Sequence, residues 1–373
     1  MRAANRGSPM IKVDRRLLLS FDWLLFLALL ALSCAGIAAI WSTTDGTSLN
    51  SYFGKQIIYL CCGLLVFLVM LYFDYHFFSD FITFIYLGGL GVLGLVLIIG
   101  RSIHSNKSWI DIGVFSFQPS EIVKILVIIA LAKYYSELDQ EYLGFKEYLI
   151  GGAITFAPMF MVMLQGDLGT AVTFLPIYAI LTCLAGIRRK HLVILLVIVA
   201  VAAPLAWFLL RGYQKGRIET VFNPGNDPHR LGYQTIQSEI AIGSGKLLGK
   251  GFKHGSQGHL GFLPARHTDF VFAVLSEEKG FVGSISVLSL FLFISSRLFR
   301  TAREAKDKLG AFIVIGVLAI LLFHMVINMG MVIGLLPIAG IPLPFVSAGG
   351  SSLISFFAAL SLCMSVRMRR YVN

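Results

Sequence analysis

The sequence predicts an all-α polytopic membrane protein with ten transmembrane helices and one large extracytoplasmic loop between helices 7 and 8. Three observations predict it. The 373 residues are 57% hydrophobic and only 14% charged, whereas a soluble domain of this size carries roughly 25% charged residues. The apolar residues gather into runs of about 20, the length a helix needs to cross the hydrocarbon, and mean hydropathy is +0.79. Lys and Arg are divided unevenly among the segments between those runs.

The runs fall at about 17–41, 55–73, 79–100, 119–136, 146–165, 169–187, 191–210, 271–296, 309–335 and 345–366. The first is too long for a signal-peptide core and lacks a small-residue cleavage site, so it reads as a span. Glu121 and Lys124 interrupt the fourth. The fifth and sixth are divided by QGDLGT. Before the tenth, Pro337, Pro342 and Pro344 preclude a continuous helix.

Ten spans place both termini on one side of the membrane. That side holds 18 of the 31 Lys and Arg: five in residues 1–16, two near 133–146, three at 188–190, five in 297–308 and three in the tail 367–373. The short linkers opposite hold only Lys55, Arg101 and Lys107. The positive-inside rule makes both tails cytoplasmic and the loop 211–270 extracytoplasmic. The whole chain, 1–373, is then one membrane domain. The loop carries an excess of four positive charges, which suits an anionic substrate and equally an ordinary solvated loop. The five cysteines lie in apolar runs and read as small buried hydrophobes, without disulfide or metal spacing.

Polar residues at membrane depth are costly and point to function or to partnered structure. In SFQPSEIVK, Pro119 suits the first helical position and Glu121 the first turn. Glu121 and Lys124 stand three apart and pair on one face, as a structural ion pair or as part of a site. In QGDLGT, Asp167 caps the following helix or faces a cavity shared with Glu121 and Lys124. In FLPARHTDFVFAVLSEEKG, His267, Thr268 and Asp269 stand at the mouth of a span. A carboxylate at the edge of low dielectric tends to a raised pKa, which suits a general base; an N-cap is the plainer role. Glu277 and Glu278, further in, need partners. In GLLPIAGIPLPFVSAGGSS, Ser347 and the residues after it can expose backbone amides at a helix start. AIGSGKLLGKG, residues 241–251, resembles a phosphate loop but fails the P-loop pattern at Ser244 and Gly251. Outside the cytoplasm its phosphate would sit on a lipid, with Lys246 or Lys250 nearby; otherwise its glycines only shape a turn. No Ser-His-Asp order, zinc spacing, haem motif or GxGxxG occurs. His324, inside a span, reads as a satisfied packing residue.

Taken in order, FQPSEIVK, QGDLGT, YQTIQSEIAIGSGKLLGKG, FLPARHTDFVFAVLSEEKG and GLLPIAGIPLPFVSAGGSS closely resemble the SEDS family of RodA and FtsW proteins, over about residues 17–366. The short tails and FLPARHTDF look more like the RodA, elongation-type branch than the division-type FtsW branch. The resemblance implies a ten-span peptidoglycan glycosyltransferase of the inner membrane that polymerises lipid II at the outer face, beside a class B penicillin-binding protein (a transpeptidase) and other elongation-machinery proteins. It implies Asp269 as catalytic base. Substrate-binding candidates are Glu121, Lys124, Asp167, Arg217, Lys250, His267, Thr268 and Ser347. Lys124, Arg217, Lys250 or a divalent cation (Mg2+ or Mn2+) would neutralise the leaving pyrophosphate; no cofactor is otherwise expected. The chain departs from the family pattern at Ser108 with Lys107, at Gly166 and at Ala348. A lipid-linked precursor transporter is the alternative activity, and a non-catalytic synthase scaffold is a third.

Overall fold

The computed structural model describes residues 20–44, 48, 51–103, 106–112, 115–188, 190, 191, 193, 194, 208, 212–222, 224 and 231–370. The tail 1–16, most of the expected seventh span, residues 371–373 and the loop residues Arg211, Asp227 and Arg230 lie outside these. The helices are α1 (Trp23–Thr43), α2 (Tyr52–Tyr72), α3 (Tyr75–Asp80), α4 (Ile82–Ile99), α5 (Pro119–Ser136), α6 (Phe145–Leu164), α7 (Leu168–Val172) and α8 (Phe174–Leu184). They continue with α9 (Gly212–Phe222), α10 (Leu231–Gly245), α11 (Ser256–His259), α12 (Val271–Arg303), α13 (Lys308–Val332) and α14 (Gly350–Met368). By length and composition α1, α2, α6, α12, α13 and α14 can each cross a membrane. The chain is a multi-pass membrane protein. Helix α5, with Glu121, Lys124 and Lys133, packs inside the bundle instead of facing lipid on all sides.

Two expectations are corrected. The fold is not purely helical: β1 (Arg101–Ile103), β2 (Asn106–Ile112) and β3 (Phe115–Phe117) form a three-stranded antiparallel sheet between α4 and α5. Ile110 pairs with Phe117 and Ile112 with Phe115. The alternation Ile-Asp-Ile and Phe-Ser-Phe has the two-residue period of a strand, a signal hidden between two spans. The segment 211–270 contains α9, α10 and α11. Of the five cysteines only Cys363 is buried; Cys34, Cys61 and Cys183 are exposed on the bundle's outer surface, and all are free thiols.

Helix α12 shows how the chain accommodates an interruption. Helix α12 has 33 residues and as a straight rod would reach about 50 Å, well beyond the roughly 30 Å of hydrocarbon. It breaks at Gly280, where φ is 67° and ψ is −161°, a region open essentially to glycine alone. The break is closed by KLLGKG. Phe281 and Val282 donate their amides to the carbonyls of Lys246 and Leu247 (2.8 and 3.1 Å). Lys250 and Gly251 donate to the carbonyls of Glu277 and Glu278 (both 3.0 Å). A Cβ at Gly280 would meet the Gly249 amide and the Leu247 carbonyl. The phosphate-loop resemblance of this stretch is thereby explained: its glycines allow two backbones to touch.

At the opposite end of the bundle one buried carboxylate gathers three helices. Asp22 caps α1 by accepting from the Leu25 amide (3.1 Å). It also accepts from Arg297 of α12 (2.9 and 2.8 Å) and pairs with Arg367 of α14 (3.3 Å). Helix α14 lies along α2, where Ser361 donates to the Phe67 carbonyl (2.7 Å). Phe357 meets Phe67 edge to face at 6.3 Å.

Gly280→Ala should destabilise the protein by about 1–3 kcal/mol or more, because it adds backbone strain and a backbone clash. Thermal unfolding in detergent, followed by loss of the monodisperse elution peak, measures this; an unchanged midpoint would contradict the role given to the break.

Candidate active site

Asp269 is half-buried at the start of α12, and the chain around it is held from several sides. Thr268 donates its amide to the Ala265 carbonyl (3.1 Å), closing a tight turn. The His267 ring stacks on Tyr52 (centroids 4.5 Å apart, 20°), and its Nδ1 lies 3.1 Å from Thr43 Oγ1. The Thr43 hydroxyl donates to the carbonyls of Ala39 and Ile40, and Arg266 Nε donates to His267 Nε2 (3.4 Å). Both contacts fit a ring protonated on Nδ1 alone. The His267 carbonyl accepts from the Ala348 amide (2.8 Å).

Residues 333–349 fold back between α13 and α14 without regular helix. Asn328, fully buried on α13, donates through Nδ2 to the carbonyls of Asp269 (3.0 Å) and Ile341 (2.9 Å). Gly340 stands so close that a Cβ there would lie 4.0 Å from Asp269 Oδ2. Phe345 takes a φ of 66°, unusual for a bulky residue, and is held against Phe356 and Phe357 (5.9 and 5.2 Å). Ser347 is buried in this turn. Its hydroxyl oxygen accepts from the Leu343 amide (2.9 Å), and its carbonyl accepts from Gln56 Nε2 (3.2 Å).

The other two motifs join the same segment. Asp167 caps α7, accepting from the Thr170 amide (3.0 Å) and hydroxyl (2.8 Å). It also accepts from Gln118 Nε2 (2.7 Å), the residue that precedes α5. Only a glycine at 169 allows the chain to approach the Ala339 carbonyl this closely. Deeper in the bundle Lys124 Nζ donates to Glu121 Oε1 (2.9 Å) and to His324 Nε2 (3.2 Å). His324 Nδ1 donates in turn to the Pro342 carbonyl (3.1 Å). Lys124 is 1% exposed and Glu121 3%. The expected ion pair exists, and His324 is the third member that carries it to the 333–349 segment.

Lys250 and Arg217 stand further off. Lys250 Nζ pairs with the buried Glu277 (2.7 Å). Glu277 also accepts from the amides of Gln257 (3.1 Å) and Gly258 (3.2 Å). The ends of α11 held in this way present the carbonyls of Gly258 and His259 to Arg266 NH1 (2.6 and 3.3 Å), so Arg266 is fixed beside His267. Arg217, on α9, lies in a shallow surface depression beside Thr220, Thr235, Gly334 and Pro337. Among the described residues no three His, Cys, Asp or Glu side chains converge as metal ligands.

Sequence reasoning missed Asn328, Gln118, Gln56 and Arg266. The first three were detectable in principle as amide side chains in or beside apolar runs; their partners lie too far along the chain to be inferred.

Residues 15–372 match the FtsW/RodA/SpoVE family of cell cycle proteins. The chain is 36% identical to the peptidoglycan glycosyltransferase MrdB of Escherichia coli K12, over 94% of each chain. It is 33% identical to the peptidoglycan glycosyltransferase RodA of Treponema pallidum, covering 94% of this chain and 98% of the other. The fold is similar, with a TM-score of 0.81 and 29% identity, to a chain of a peptidoglycan synthase complex solved to explain structural coordination of polymerization and crosslinking; 95% of this chain and all of that one are covered.

Breaking a buried ion pair leaves an uncompensated charge, at a cost of about 3–5 kcal/mol, whereas replacing both members costs far less. Lys124→Met alone should therefore lower thermal stability strongly, and adding Glu121→Gln should restore most of it. Equal destabilisation of the single and double variants would contradict the pairing.

Proposed function

The chain belongs to the FtsW/RodA/SpoVE family, and on that premise we propose that it is a peptidoglycan glycosyltransferase of the cell-elongation machinery, joining lipid II disaccharides into β-1,4 glycan with Asp269 as catalytic base. The observation that carries the assignment is the convergence of the polar motifs around Asp269. HTDF, the 333–349 segment, the Asp167 cap and the Glu121–Lys124–His324 chain are all tied to one another by hydrogen bonds or backbone contact.

In this mechanism Asp269 accepts the proton of the acceptor GlcNAc 4-hydroxyl. The freed oxygen pair attacks C1 of the donor MurNAc, and the C1–O bond to undecaprenyl pyrophosphate breaks with inversion. One base suffices and no covalent intermediate forms, as in inverting glycosidases. Asn328 and Gly340 are positioning elements: the first holds the Asp269 backbone, the second leaves room at its carboxylate. The leaving pyrophosphate needs positive charge rather than a proton. Lys124 is committed to Glu121 and His324, and Lys250 to Glu277, so Arg266, held beside His267, is the better-placed cation. His267 and Thr268 shape the acceptor side.

The wider setting follows the same reading. Ten spans with cytoplasmic tails put Asp269 at the extracytoplasmic face, where lipid II is presented and where a class B penicillin-binding protein would crosslink the product. The transporter alternative needs a polar path through both ends. Here HTDF, the 333–349 segment and the Asp167 cap gather at the Asp269 end of the bundle, which favours the enzyme.

Asp269→Asn, purified with its partner and given labelled lipid II, should lose about 10²–10⁴-fold in polymer formation while still binding lipid II. Wild-type polymer yield would overturn the assignment. Asn328→Leu should lower kcat by about 10–100-fold with KM little changed, since it misplaces the base without touching substrate; an effect confined to KM would count against positioning.

A further inference from the structure

The turn that closes the α12 break has a second property. Lys246 and Gly249 both adopt positive φ (49° and 81°), so the chain reverses within four residues and leaves Leu247 and Leu248 at its apex. Their side chains are 68% and 80% exposed. An isolated exposed leucine is ordinary, but this pair continues a surface already facing lipid. The Lys246 and Leu247 carbonyls receive the amides of Phe281 and Val282, the first residues of the membrane-spanning part of α12, whose own side chains are exposed. A second marker fixes the level. Trp41, in the last turn of α1, is of the type enriched at membrane–water boundaries, and Lys253 holds its ammonium 4.7 Å above that ring. The adjoining Phe252 ring is 5.3 Å from Trp41.

We propose that the Leu247–Leu248 turn inserts into the leaflet at the Asp269 end of the bundle, with its leucines in the acyl-chain boundary and Lys246 and Lys253 at the level of anionic headgroups. Apolar apex residues flanked by lysines are the pattern of an interfacial anchor, and juxtamembrane lysines are drawn to anionic lipid. The turn is bonded to the helix that Asp269 opens, so the lipid surface would set the depth at which the base stands. The inference rests on the membrane embedding of the bundle and not on the reaction assigned above.

The test uses the full-length chain in nanodiscs of phosphatidylethanolamine and phosphatidylglycerol. An environment-sensitive fluorescent amino acid is placed at position 248, at 247 as an independent second site, and at the exposed His254 as the aqueous reference. Emission from 247 and 248 should be blue-shifted, quenched at least about twofold more than at 254 by doxyl-labelled acyl chains, and poorly quenched by iodide. Iodide access at 247 and 248 equal to that at 254 would overturn the proposal. So would shielding that develops only when the partner transpeptidase is added, which would assign the turn to a protein interface.

Discussion

Backbone amides and carbonyls at membrane depth have no water to bond, so each interruption of a helix must be satisfied by the protein itself. Much of this molecule's polar architecture answers that constraint. Three prolines prevent residues 333–349 from being helical, and the segment survives because His324 takes the Pro342 carbonyl, Asn328 the Ile341 carbonyl, Ser347 the Leu343 amide and Gln56 the Ser347 carbonyl. The broken α12 survives because residues 246–251 supply the missing partners from outside the span. Ser238 of α10 does the same for the end of α13, donating to the Val332 carbonyl.

These repairs also create the site. Non-helical backbone lets Gly340 come against the Asp269 carboxylate and lets Ala348 bond the His267 carbonyl. A continuous helix through 333–349 would present side chains there instead. The buried Glu121–Lys124 pair belongs to the same system. Its desolvation is costly and such a pair is weak evidence for stability, but through His324 it ties α5 and α13 to the segment that borders Asp269. Its contribution is better understood as fixing position than as adding stability.

Several local features were legible from residues alone. Pro119 opens α5, the three-residue spacing of Glu121 and Lys124 forms an ion pair, Asp167 caps the next helix, and the prolines from 337 on keep the segment after α13 from being helical. Each depends on contacts within about one helical turn, where sequence spacing and spatial distance coincide. The pairing of Lys124 with His324, 200 positions away, has no such signature. Nor has the attachment of Lys250 to Glu277 or the placing of Arg266 by α11. The short sheet escaped notice because seven residues of strand pattern lie between two strongly apolar runs.

By itself the sequence determined a multi-pass helical membrane protein and the non-helical stretch before its last helix, because apolar run length and proline act locally and without reference to the rest of the chain. It also singled out the polar residues too costly to be incidental. The tertiary structure decided which of them meet. It turned a glycine- and lysine-rich stretch from a phosphate loop into the splice of α12, gave Lys124 to His324 and Lys250 to Glu277, and placed Asn328 behind Asp269. Those outcomes depend on the order in which helices pack, and only packing brings residues 27, 59 or 200 positions apart within hydrogen-bond reach.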